Sequence, residues 1–139
     1  MSVGLLLITH DDIGDALLAS ATGILGLCPL RTQTLPVGPN DQPDQISDRA
    51  KRILDQLQLG KGVLILTDLL GSTPSNVAGS LQQADKVHVV TGLNLPMLIK
   101  VLSHPSPTLQ RLTETAIEGG RLGVHHGLAQ SIYPLTASG

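Results

Sequence analysis

The 139-residue chain contains one aromatic residue, Tyr133, and neither phenylalanine nor tryptophan. Its core must therefore be built from Leu, Ile, Val and Ala, and it has no aromatic platform on which nucleobases could stack. The single cysteine, Cys28, excludes an intramolecular disulfide and a cysteine metal cage. It follows an apolar segment and precedes Pro29, so a buried structural thiol is expected. Charge is also scarce: 14% of residues are charged, and the formal net charge is −2. The densest basic stretch, Arg49, Lys51 and Arg52, is flanked by Asp48 and Asp55 on a helical pattern. Without a basic stripe, nucleic-acid binding is not expected. No window reaches the ~20 apolar residues of a membrane span. The N-terminus has neither a basic leader region nor a cleavage site, so a soluble cytoplasmic protein is expected.

What the chain does have is aliphatic residues in alternating patterns. Hydrophobic residues make up 41% of a length suited to one domain. Residues 1–126 are expected to form that domain, and 127–139 a C-terminal tail without clear period. Val3 to Thr9 is an almost continuous apolar run, as in a strand covered on both faces. Ile13, Ala16, Leu17, Ala21, Ile24 and Leu25 follow at helical spacing, with Asp12 as N-cap and Gly26 as stop. Leu30 to Val37 reads as an edge strand, because Arg31 and Gln33 are polar. A helix begins around Asn40, Asp41 and Pro43 and ends by Gly60.

Gly62-Val-Leu-Ile-Leu-Thr67 is the clearest central strand. After a turn, Thr73 caps a short helix with Pro74 at its first position, running to about Gln83. Lys86 to Thr91 is a fourth strand, Asn94 to Leu102 a helix, and Ser106-Pro107 opens a last helix stopped by Gly119-Gly120. Residues 121–126, RLGVHH, read as a short final strand. Strands and helices in this series predict a doubly wound α/β domain. Its parallel sheet should have the order 2-1-3-4, with helices on both faces.

Open α/β sheets carry their sites beyond the carboxyl ends of the strands, where strand order reverses. Thr9-His10-Asp11 ends the first strand, Thr67-Asp68 the third, and Thr91-Gly92-Leu93-Asn94 the fourth. In the order 2-1-3-4, His10 and Asp68 face each other. A carboxylate that accepts the Nδ1 proton leaves Nε2 unprotonated and nucleophilic. Helix starts after His10 and after Thr73 would aim N–H groups at phosphate oxygens, with Gly71, Ser72 and Thr73 allowing close approach. The same residues also fit a loop histidine without a chemical role.

Four stretches resemble the IIA component of the mannose-family sugar phosphotransferase system: ITHDDIGDALLASATGILG (8–26), KGVLILTDLLGSTPSNVA (61–78), VVTGLNLPMLIKVL (89–102) and AIEGGRLGV (116–124). The resemblance implies that His10 is phosphorylated through Nε2 and that Asp68 orients it. It implies that Ser72, Thr73 and Asn76 lie beside the phosphoryl group, with Gly92, Leu93, Asn94 and Pro96 in a facing loop. It further implies HPr as phosphoryl donor, a IIB component as acceptor, and a homodimer exchanging the strand 121–126. No cofactor and no metal ion are implied, and no fused IIB domain is expected. Two residues depart from the family pattern: Asp11 and Ser72 both stand where glycine is usual.

Three other readings use the same fold. A regulatory IIA would be phosphorylated on His10 and sensed by other proteins without sugar transport. A metal-dependent hydrolase would gather His10, Asp11, Asp12 and Asp68 around one ion, although Asp12 suits the helix cap better. A nucleotide-binding module lacks both a G-x-G-x-x-G after the first strand and a GK[ST] motif. His88 reads as a partly buried strand residue or as part of the strand's solvent face, His104 as a loop residue, and His125 and His126 as neighbours on opposite faces of a strand.

Overall fold

A computed structural model describes residues 2–58 and 60–127. Four strands, β1 (Gly4–His10), β2 (Thr32–Val37), β3 (Val63–Thr67) and β4 (Val87–Thr91), alternate with helices α1 (Ile13–Leu25), α2 (Pro43–Leu57), α3 (Thr73–Ser80) and α4 (Leu95–Ser103). A fifth helix, α5 (Leu109–Leu122), follows. All strand pairs are parallel and the sheet order is β2-β1-β3-β4, as expected.

The pleat divides the apolar strands between two cores. Leu5, Leu7, Leu64, Leu66 and Val90 pack with Ala21, Leu25, Leu98, Val101 and Leu112 from α1, α4 and α5. Leu6, Ile8, Val63, Ile65 and Val87 pack with Ile46, Ala50, Leu54, Val77 and Ala78 from α2 and α3. Burial on both faces explains why β1 and β3 are continuous apolar runs, whereas edge strand β2 alternates with exposed Gln33 and Pro36. Among the described residues no helix is long and apolar enough to cross a membrane.

Several expectations are corrected. Helix α3 ends at Ser80 rather than near Gln83, and it begins with Ser72 as N-cap and Pro74 at the second position. Helix α5 does not stop at Gly119-Gly120 but runs through them to Leu122. A Cβ on Gly119 would lie 2.5 Å from Lys100 Cβ, and one on Gly120 2.8 Å from Met97 Cε. Those glycines are where α5 lies against α4, so close packing outweighs their helix penalty of ~1 kcal/mol each. Residues 121–126 are not a strand: Arg121 and Leu122 finish α5, and Gly123 caps it. Leu122 and Val124 are exposed, so the stretch has no sheet or core to hold it extended. Cys28 is exposed rather than buried. The tail 128–139 lies outside the described residues.

Candidate functional site: a histidine and an aspartate at the switch point

The register of β1 against β3 pairs Ile8 with Thr67, so both strands end side by side. His10 and Asp68 are the residues that leave the sheet there. The backbone N–H of His10 donates to Asp68 Oδ2 at 3.1 Å, and the ring Nδ1 lies 2.9 Å from the same oxygen. A carboxylate oxygen only accepts, so Nδ1 carries the proton and Nε2 of the neutral ring keeps its lone pair. The His10 side chain is 41% exposed and that of Asp68 11%. Nε2 of His10 is therefore reachable from solvent, while the carboxylate beside the ring is shielded. Asp68 Oδ1 and Thr67 Oγ1 are buried and receive no hydrogen bond from the described residues. Among the described residues, the polar contacts of the Asp68 carboxylate are therefore those with His10.

The turn that carries His10 is built differently from the expectation. Asp12 occupies the N-cap position of α1, but its carboxylate makes no capping bond. The N–H of Gly14 is instead accepted by Thr9 Oγ1 at 2.8 Å, from a side chain buried at the end of β1. Asp11, between them, has φ +45° and is the one non-glycine residue with positive φ among the described residues. Its N–H donates to Val37 O at 2.9 Å, continuing the pairing of β1 with β2. The left-handed backbone explains why glycine suits this position, and aspartate is among the residues that tolerate it best.

Ser72 stands at the start of α3, and its hydroxyl donates to Leu69 O at 2.6 Å, tightening the turn after Asp68. The N–H of Gly71 donates to Ser75 Oγ at 2.9 Å in the same turn. Thr73 is the exposed first residue of α3. Asn76 lies one turn further along and lines a shallow groove of about 410 Å³ with Leu70, Ser75, Gly79, Val89 and Thr91. The loop after β4 is anchored by Leu93, whose N–H donates to Thr67 O at 3.0 Å, next to Asp68. Gly92 supplies the positive φ, +83°, that this loop needs.

Asn94 and Pro96 serve mainly to join helices. Asn94 Oδ1 accepts from the N–H of Met97 at 2.8 Å, capping α4, while its amide donates to Gly120 O on α5 at 3.2 Å. Pro96 is the surface against which Gly123 lies. The structure thus brings His10 and Asp68 together, with α3 beginning five residues after Asp68, but ties Asn94 and Pro96 into the α4–α5 contact. Sequence reasoning missed the capping role of Thr9 and the left-handed turn at Asp11. The only available signal for the second was the glycine usual at that position in the family.

Among the described residues no three His, Cys, Asp or Glu side chains come together as a metal-ion ligand set, which is the geometry the hydrolase reading needs. Of the other histidines, His88 is partly buried and bridges two elements, with Nε2 2.8 Å from Ala84 O and Nδ1 2.8 Å from Thr113 Oγ1. His104, His125 and His126 are exposed.

The family model described as PTS system fructose IIA component matches residues 4–117. The PTS system mannose-specific EIIAB component of Escherichia coli K12 is 30% identical over 128 residues. That alignment takes in 89% of this chain but only 39% of the relative, so the chain spans well under half of the relative's length. The mannose/sorbose-specific IIA subunit of the phosphotransferase system from Enterococcus faecalis superimposes with a TM-score of 0.83 at 26% identity. It covers 96% of this chain and 100% of that one. A PTS IIA protein associated with the fucose utilization operon of Streptococcus pneumoniae gives 0.77 at 26% identity, covering 91% of this chain and 96% of the other. With the fold and a match over most of its length in agreement, this chain belongs to the mannose-type IIA family of the phosphotransferase system.

Proposed function

We propose that the chain is a phosphocarrier that accepts a phosphoryl group from phosphorylated HPr on His10 Nε2 and passes it to a IIB component. The observation that carries this reading is the 2.9 Å contact of His10 Nδ1 with Asp68 Oδ2, which leaves Nε2 as the free, exposed nucleophile. In the transfer, the Nε2 lone pair forms a bond to phosphorus while the donor's P–N bond breaks. The bonding pair returns to the donor's imidazole nitrogen. The Nδ1 proton stays on His10, and the Asp68 carboxylate stabilises the positive character that the ring gains. In this reading the N–H groups and dipole at the start of α3, with the Thr73 hydroxyl and Ser72 as N-cap, attract the phosphoryl oxygens.

Incubation with enzyme I, HPr and phosphoenolpyruvate should introduce one acid-labile, base-stable phosphoryl group, and His10→Ala should abolish it. Labelling that survives this substitution would sink the assignment. Onward transfer to a IIB component separates a transport carrier from a regulatory IIA. The homodimer that the resemblance implies belongs to the same proposal. Exposed Ile117, Leu122 and Val124 around the end of α5 support it, and sedimentation of the intact chain tests it.

A further inference from the structure

Asp11 has features that folding does not account for. Its left-handed backbone would be relaxed by glycine, and its exposed carboxylate has no hydrogen bond or ion pair among the described residues. It adjoins His10 directly. The segments that end the strands, 10–15, 37–41, 68–76 and 91–94, contain no lysine or arginine at all. They carry Asp11, Asp12, Asp15, Asp41 and Asp68. Of these, Asp15 accepts from Thr34, Asp41 faces Arg49 at 3.9 Å, and Asp68 is engaged with His10. An incoming phosphoryl group is itself anionic, so Asp11 repels it, and no cation of this chain stands on those segments to compensate.

We infer that Asp11 makes His10 selective for its donor, because phosphorylation becomes efficient only when the donor presents a lysine or arginine beside its phosphoryl group. This inference rests on the phosphocarrier reading. The donor's cation neutralises Asp11 in the encounter complex and accompanies the phosphoryl group to Nε2. Exposed Leu69 and Leu70, 61% and 75% accessible on the loop after Asp68, offer the apolar part of the same contact. A small anionic donor brings no cation and meets only the repulsion. Asp11 therefore acts with opposite sign on the two kinds of donor, a behaviour that no purely structural role would produce.

The test compares phosphorylation of His10 by phosphorylated HPr and by phosphoramidate in the wild type, Asp11→Asn and Asp11→Gly. Asparagine also tolerates the left-handed backbone, and glycine relaxes it, so both variants should fold. With phosphorylated HPr, kcat/KM should fall about tenfold in both variants and lose much of its salt dependence. With phosphoramidate, the rate should rise about threefold. Rates that move in the same direction for both donors, or do not move, overturn the role of Asp11 while leaving His10 as the acceptor. Absence of His10 labelling from both donors in the wild type overturns the phosphocarrier reading itself.

Discussion

One oxygen, Asp68 Oδ2, receives both the backbone N–H and the ring Nδ1 of His10, at 3.1 and 2.9 Å. The two bonds fix different things. The first holds the end of β1 against the end of β3, and the second sets the tautomer and aims Nε2 outward. Asp68→Asn should separate these roles. An amide can still accept from the backbone, but its NH2 group competes for Nδ1 and favours the wrong tautomer. Phosphorylation of His10 should slow roughly 100-fold with the circular dichroism spectrum unchanged. An unaltered rate would remove Asp68 from the mechanism.

The turn after His10 yields a stability prediction independent of activity. Asp11 is exposed with φ +45°, so substitutions there report backbone preference without a change in burial. Asp11→Val should destabilise the domain by about 1–2 kcal/mol, because a β-branched residue clashes in the left-handed region. Urea midpoints of Asp11→Val below those of both Asp11→Asn and Asp11→Gly are expected. A valine variant as stable as the wild type would mean that the backbone there relaxes freely.

Thr9 and Asp12 compete for the role of cap to α1, and the geometry favours Thr9. Thr9→Val keeps the shape but leaves the N–H of Gly14 without its acceptor, which should lower stability by about 1–2 kcal/mol. Asp12→Ala removes no capping bond and should change stability by less than about 0.5 kcal/mol. Equilibrium unfolding of the two variants side by side checks the order, and a larger loss at Asp12 would contradict it.

Glycines of α1 and α5 should respond to alanine with opposite signs. At Gly23, in α1, a new Cβ meets nothing within 4 Å, so Gly23→Ala should gain up to about 1 kcal/mol from helix propensity. At Gly119 the Cβ would stand 2.5 Å from Lys100 Cβ, close to backbone that cannot move aside cheaply. Gly119→Ala should therefore lose about 1–3 kcal/mol despite the better helix former. Thermal unfolding of both variants reads the two signs, and stabilisation at Gly119 would show that α4 and α5 separate easily.

Much of the fold was legible because β1 and β3 are buried on both faces, which forces uninterrupted apolar runs, while the helices repeat their apolar residues at helical spacing. The end of each run then marks where a strand leaves the sheet, and His10 and Asp68 stand out there by residue type. Helix ends were less legible, because Gly119 and Gly120 read as stops when seen alone. Only the nearness of Lys100 and Met97 turns them into contact points inside a continuous helix.

The amino-acid sequence by itself determined the alternation of elements, the parallel sheet and the pair of candidate groups, since each follows from local periodicity and residue chemistry. Packing between distant segments settled which oxygen meets which nitrogen, that Thr9 rather than Asp12 caps α1, and that Asp11 takes a left-handed turn next to His10. It also decided that residues 121–126 are not a strand. Each of these depends on distances between segments far apart in the chain or on the path of the backbone, and neither is encoded in the spacing of residue types.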